Sequence, residues 1–171
     1  MVMATQNPNE QEGTFRLPEA QMDRFLIRLS LGYPSADEEK AMCVRAQQQH
    51  PIESLKPVTT AEDILKCQRG VRDISVGPDV CDYLVELTRA TREHPALRLG
   101  ASPRGSLGLF HTAQALAAIQ GSAAVSIDHV KTVAVPALAH RLLVRKESLK
   151  DYPDGAAVIR EILAKVQPVA K

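Results

Sequence analysis

The stretch from Pro103 to about Gln120 constrains the fold more than any other. It carries Leu107, Leu109, Phe110, Ala113, Ala115, Leu116, Ala117, Ala118 and Ile119, so a helix there is apolar on nearly every side. Such a helix has to be surrounded by others, which predicts a bundle with this segment at its centre. The residues after Pro34 supply the neighbours. Ser35-Ala36-Asp37-Glu38 has the form of a capping box and opens a helix to about Gln49, closed by His50-Pro51. Thr59-Thr60-Ala61-Glu62 repeats that form ahead of Ile64, Leu65 and Val71, with a loop over 51–58 in between. Pro78 begins a longer helix in which Val80, Leu84, Leu87 and Thr91 share one face, and His94-Pro95 ends it. Ser126-Ile127-Asp128-His129-Val130 opens another that runs to about Ala139 or beyond, and Gly155 to Val166 forms the last. Strand character in this half is confined to a short stretch at Ile74-Ser75-Val76.

The residues before Gly32-Tyr33-Pro34 follow a different pattern. Val2-Met3-Ala4-Thr5 is a short apolar run stopped at Gln6-Asn7-Pro8, where proline cannot continue a ladder. Leu17-Pro18-Glu19-Ala20-Gln21-Met22 predicts a short helix with Pro near its first turn. Arg24 follows, just before a second apolar run, Phe25-Leu26-Ile27-Arg28-Leu29-Ser30-Leu31. Strand, loop, helix and strand make one α/β unit, and open α/β sheets bind ligands at strand ends. The turn chemistry at Gly32-Tyr33-Pro34 therefore divides the chain into domains 1–33 and 34–171.

At 171 residues and 44% apolar content the chain can bury a core. A net charge of +1 gives no electrostatic case for nucleic acid, and the helix from Ser126 to His140 offers only Lys131 and Arg141 for phosphates. No apolar stretch reaches the roughly 20 residues of a membrane span. No basic segment leads into an apolar core at the N-terminus, so no secretory signal is expected. The cysteines Cys43, Cys67 and Cys81 are odd in number and widely spaced, which suits neither a disulfide framework nor zinc. They predict small buried hydrophobes in a cytoplasmic protein. The histidines His50, His94, His111, His129 and His140 lack ligand spacing, so no metal site is expected from them. Asp37-Glu38-Glu39 suits the first turn of a solvated helix, and Arg69, Arg72, Arg89 and Arg92 suit solvated helix faces.

One polar position in the central helix stands apart. In Gly100-Ala101-Ser102-Pro103-Arg104-Gly105-Ser106, Ser102 is a natural N-cap and Pro103 suits the first helical position, so Arg104 falls in the first turn. A cation there opposes the helix dipole at a cost of about 0.3–1 kcal/mol, which a nearby anion would explain. The alternative is an arginine whose stem packs on a neighbour while its head stays in water.

Ala4-Thr5-Gln6-Asn7-Pro8, Glu12-Gly13-Thr14-Phe15 and Leu17-Pro18-Glu19-Ala20-Gln21-Met22-Asp23-Arg24-Phe25 resemble the MoxR family of AAA+ ATPases. The resemblance continues through Ala90-Thr91-Arg92, His94-Pro95, Gly100 to Ser106, Ala113 to Ala117, Gly121 and Asp128-His129-Val130 to His140-Arg141. It implies a mainly α fold, a helical-bundle lid domain preceded by a strand-helix-strand remnant of the α/β nucleotide-binding core. It also implies roles: Asn7 as sensor 1, which positions the attacking water; Arg24 as an arginine finger reaching a neighbouring subunit's nucleotide; and Arg104 as sensor 2, a nucleotide-phosphate ligand. ATP and magnesium follow as cofactors, other subunits of a ring, hexameric in the family, as partners, and an unknown client protein as substrate of a chaperone-like remodelling activity. Asn9, His111 and Ser122 depart from the family pattern, which bears on loop and surface contacts rather than chemistry. His140-Arg141 matches the family without suggesting a physical role.

No Gly here is followed by Lys-Ser or Lys-Thr, and no apolar strand ends in Asp-Glu. The phosphate cradle and the magnesium ligand are therefore both missing, and no residue makes a convincing general base. The expectation is the C-terminal half of a MoxR-type ATPase, inactive alone. The alternative is a non-catalytic helical interaction module derived from the lid.

Overall fold

The computed structural model describes residues 2–6, 17–48 and 51–168. Its elements are α1 (Glu19–Met22), α2 (Ala36–Gln48), α3 (Ala61–Arg72), β1 (Ser75–Val76), α4 (Pro78–Glu93), β2 (Leu97–Leu99), α5 (Pro103–Ile119), β3 (Ala124–Val125), α6 (Ile127–Leu138), β4 (Leu143–Val144) and α7 (Gly155–Lys165). Short 3-10 turns lie at Pro51–Ser54, Ala139–Arg141 and Lys146–Ser148. The mainly helical class expected from the periodicity is what forms, with two small sheets added.

α5 packs chiefly on α6 and also on α4 and α3, while α7 closes the bundle against α6 and α4. Leu87, Leu109, Val130, Leu138, Val158 and Ile159 are essentially inaccessible, each burial contributing about 1.5–3 kcal/mol relative to exposure. The α4 face behaves as its spacing predicts, with Val80, Leu84, Leu87 and Thr91 all buried. α5 is less enclosed than its composition suggests. Its Gly105, Gly108, Leu109, Ala113 and Ala117 face the core, whereas Leu107 is 61% and Ile119 82% exposed. The small residues let neighbours approach on one side only.

Caps place the helices. Ser126 and His129 form the capping box of α6, with the histidine in the role usually taken by Glu or Gln. Its Nδ1 accepts the Ser126 amide at 2.9 Å and its Nε2 lies 2.8 Å from Gln120 Oε1, so a neutral ring carries its proton on Nε2. At α3 the box is shifted one residue from expectation, pairing Thr60 with Asp63 rather than Thr59 with Glu62. The Asp63 carboxylate reaches both the Thr60 hydroxyl, at 2.6 Å, and the Thr60 amide, at 3.3 Å.

Two short ladders staple the bundle. β1 and β3 pair in parallel, Ser75 opposite Ala124. β2 and β4 pair antiparallel, Leu97 opposite Val144, with an irregular register before Leu99.

Two local expectations fail. The apolar runs 2–5 and 25–31 form no strand, because no described residue offers them a ladder; the second instead docks on the end of α6, where the Arg28 amide donates to Pro136 O at 2.9 Å. Cys43 and Cys67 are exposed and Cys81 is half-buried, so they are not buried hydrophobes. The first two sit on α2 and α3, where no described residue is buried. Arg92 is exposed, as a solvated helix face predicts, and its Nε also donates to Ala101 O at 2.9 Å.

Candidate functional site

The site is built where the start of α5, the end of α6 and residues 23–26 meet. α4 fixes the first of these. The Thr91 hydroxyl accepts the Ala101 amide at 2.9 Å and donates to Thr88 O at 2.6 Å, while Arg92 holds the Ala101 carbonyl. Gly100 passes so close to α4 that a Cβ would lie 2.6 Å from Thr91 O and from Arg92 Cα. Any side chain there would push the loop away. Ser102 then caps α5, its Oγ accepting the Arg104 amide at 3.2 Å while its hydroxyl donates to the Asp23 carboxylate at 3.0 Å. The Ala90-Thr91-Arg92 and Gly100-Ala101-Ser102 segments are therefore one joint, and its product is the position of Arg104.

The end of α6 supplies a second anchor. Arg141, with its side chain 3% exposed, lies along the α5 surface where Gly105 and Gly108 leave room. A Cβ at Gly108 would stand 3.0 Å from Arg141 Nη2. Its Nε donates to Ala137 O at 2.8 Å, its Nη1 to the Asp23 carboxylate at 2.9 Å and to Asp23 O, and its Nη2 to Phe25 O at 2.7 Å. The planar fork of arginine is suited to such a set of acceptors. His140 Nε2 lies 2.9 Å from the same Phe25 carbonyl. Burial, with the neighbouring Arg141 and Arg28 charges adding to it, lowers the His140 pKa and favours the neutral ring that donates there.

Between these anchors Arg24 and Arg104 open onto one pocket of about 250 Å³, lined also by Asp23, Leu26, Leu107, Gly108, His111 and Arg141. The charges of Asp23 and Arg141 offset each other. Among the described residues, neither the Arg24 nor the Arg104 side chain has an ion-pair or hydrogen-bond partner. Two guanidiniums without partners among the described residues, beside Leu26 and Leu107, suit a tetrahedral oxyanion such as a phosphate. Of the residues singled out from sequence, the fold thus brings Arg24 and Arg104 together, while Asn7 lies outside the described residues. His111, read as a surface departure, lines the pocket.

Asp23 and Arg141 escaped sequence reasoning. They stand 118 positions apart, and the only local signal was Gly105 and Gly108, glycines on one face of α5 that leave room for another group. Among the described residues no group of three or more His, Cys, Asp or Glu is placed to hold a metal ion. No helix among them is long and apolar enough to cross a membrane.

Known proteins resemble both parts of this arrangement. The AAA lid domain family matches residues 89–162, and the ATPase family associated with various cellular activities (AAA) matches residues 1–27. An uncharacterized protein of Bacillus subtilis, YeaC, is 42% identical over 166 residues, covering 97% of this chain and 52% of that protein. Chaperone MoxR1 of Mycobacterium tuberculosis is 37% identical over 175 residues, covering 97% of this chain and 46% of its own length. The chain spans about half the length of the curated relatives it matches. A solved structure assigned as an ATPase, from Cytophaga hutchinsonii, superposes with a TM-score of 0.86 at 29% identity, over 96% of this chain and 53% of that one.

Proposed function

Because the chain belongs to the MoxR family of AAA+ ATPases, we propose that it is the sensing and coupling half of such an ATPase, hydrolysing ATP only together with a Walker-containing core. On this reading residues 1–33 end the nucleotide-binding core and residues 34–171 form the lid. The assembly is a ring, and hydrolysis drives chaperone-like remodelling of a client protein. One observation carries the proposal: Arg24 and Arg104, whose guanidiniums have no partner among the described residues, line one pocket.

The residues fit the phosphate end of a nucleotide and do not fit magnesium, for which the described residues gather no cluster of carboxylates. Bound ATP supplies the γ-phosphoryl group that is transferred to water. Arg24 acts as the arginine finger and Arg104 as the sensor of the lid, both donating N–H groups to oxygens on which transition-state charge accumulates. Asn7 orients the attacking water, a positioning effect. On this reading the phosphate belongs to a neighbouring subunit's nucleotide, and Arg24 and Arg104, which line one pocket, both face it.

The second reading, a non-catalytic interaction module, draws support from Met42, Val44, Ile64 and Leu65, which α2 and α3 leave exposed. Mixing the chain with a Walker-containing N-terminal fragment and measuring ATP hydrolysis separates the two. The ATPase reading expects activity in the mixture, lowered on the order of 10³–10⁵-fold by Arg24→Ala and also lowered by Arg104→Ala. No hydrolysis, or hydrolysis indifferent to both substitutions, supports the module.

A further inference from the structure

We propose that Arg141 is a positioning residue for Arg24: it clamps residues 23–26 onto the lid, so that Arg24 and Arg104 are held in fixed relation and move as one body. The inference rests on the assignment of Arg24 given above and deepens it.

The 23–26 segment lacks supports of its own. α1 is a single turn with no buried residue, and the run after it pairs with no strand among the described residues. Residues 24 and 26 through 31 are exposed, so hydrophobic burial does little to hold Arg24. What holds it is polar and comes from the lid. Arg141 donates to Asp23 O, to the Asp23 carboxylate, to Phe25 O and, at 3.4 Å, towards Leu26 O, which spans the carbonyls on both sides of Arg24. His140 adds a contact to Phe25 O, and Pro136 O takes the Arg28 amide.

The clamp reaches Arg104 through the same carboxylate. Asp23 accepts from Arg141 on one side and from the Ser102 hydroxyl on the other, and Ser102 caps the helix turn that carries Arg104. Arg141, Asp23 and Ser102 thus form a rigid bridge from the finger segment to the start of α5. The bridge also favours a bare α5 surface at Gly108, where Arg141 crosses and a Cβ would stand 3.0 Å from its Nη2; at Gly105 the tight neighbours are Ala101 and Leu138 instead. A displacement of about 1 Å in such a group can cost on the order of 10²-fold in rate, which is the scale on which the clamp matters. A lysine at 141 keeps the charge and the stem but loses the fork, so it can reach one acceptor and not the set.

Two readouts test this with Arg141→Lys, and Asp23→Asn serves as a second variant cutting the same bridge from its other end. Amide hydrogen exchange on the chain alone should show the Arg28 amide exchanging about tenfold faster or more, while the amides of α5 and α7 keep wild-type protection. Unchanged exchange at Arg28 in both variants overturns the proposal. In the mixture with a Walker-containing fragment, Arg141→Lys should lower kcat on the order of 10²-fold with KM for ATP unchanged, and the Arg24→Ala, Arg141→Lys double variant should be no slower than Arg24→Ala alone. A double variant slower than Arg24→Ala means that Arg141 does not act through Arg24 and overturns the proposal while leaving the role of Arg24 intact. Arg24→Ala at the wild-type rate overturns the role of Arg24 itself, and the positioning proposal falls with it.

Discussion

The two sides of residues 23–26 differ in one respect that organises the molecule. On the side facing the lid, Arg141, His140 and Ser102 saturate the acceptors of Asp23 and Phe25, and the arginine among them is nearly inaccessible. On the pocket side, Arg24 and Arg104 are exposed and have no partners among the described residues. The same residue type serves both sides, and burial decides its role. A buried arginine must be fully hydrogen-bonded or it costs several kcal/mol, whereas an exposed one can wait for a ligand. The difference teaches that the site is held from behind, so its front can remain unsatisfied.

The comparison breaks if stability does not follow it. Arg141→Met strands the Asp23 carboxylate beside unfilled carbonyls and should destabilise the chain on the order of 3 kcal/mol. Arg24→Ala and Arg104→Ala should each fall within about 0.5 kcal/mol of wild type, as surface changes do. Urea unfolding of the four proteins checks the contrast, and equal losses at all three positions would erase it.

A second saturated cluster, on α7, sharpens the comparison with a smaller effect. Glu161 on α7 accepts from Lys165 and from the Tyr152 hydroxyl and lies 3.6 Å from His94 Nε2. The Lys165 contact first, then the Tyr152 hydroxyl, with the charges of Lys165 and His94, lower its pKa from 4.5 to about 2. A lowered carboxylate pKa means that the stabilisation is fully present above about 4.5 and is lost as pH falls towards about 2. Tm should therefore fall across that window, and Glu161→Gln should flatten the fall. Identical acid profiles for the two proteins would assign the acid sensitivity elsewhere, to cap carboxylates such as Glu38 and Asp63, which are lowered as well.

Much of the bundle was legible in the sequence, because helices announce themselves through period and caps. The Val80, Leu84, Leu87, Thr91 face, the stop at His94-Pro95 and the Ser102-Pro103 start of α5 all formed where local chemistry places them. Elements that depend on distant partners were not legible. β2 and β4 are two or three residues long and exist only because 97–99 meets 143–144. The runs at 2–5 and 25–31 have strand composition and no ladder. At the site the same division holds. Arg104 was visible as a cation against a helix dipole, and Arg24 through family resemblance. The Asp23–Arg141 pair joins residues more than a hundred positions apart, and the Gly108 contact with Arg141 joins two separate helical segments, neither of which a local pattern encodes. His111 was visible as a departure from the family but not as a wall of the pocket.

The central claim is that Arg24 and Arg104 address one phosphate. The most direct measurement follows the side-chain Nε–H NMR signals of both arginines while the chain is titrated with a Walker-containing fragment loaded with ADP and aluminium fluoride. The account predicts that both signals shift together and that Arg24→Ala weakens the shift of Arg104. A shift of one signal alone, or of both at different fragment concentrations, would contradict it.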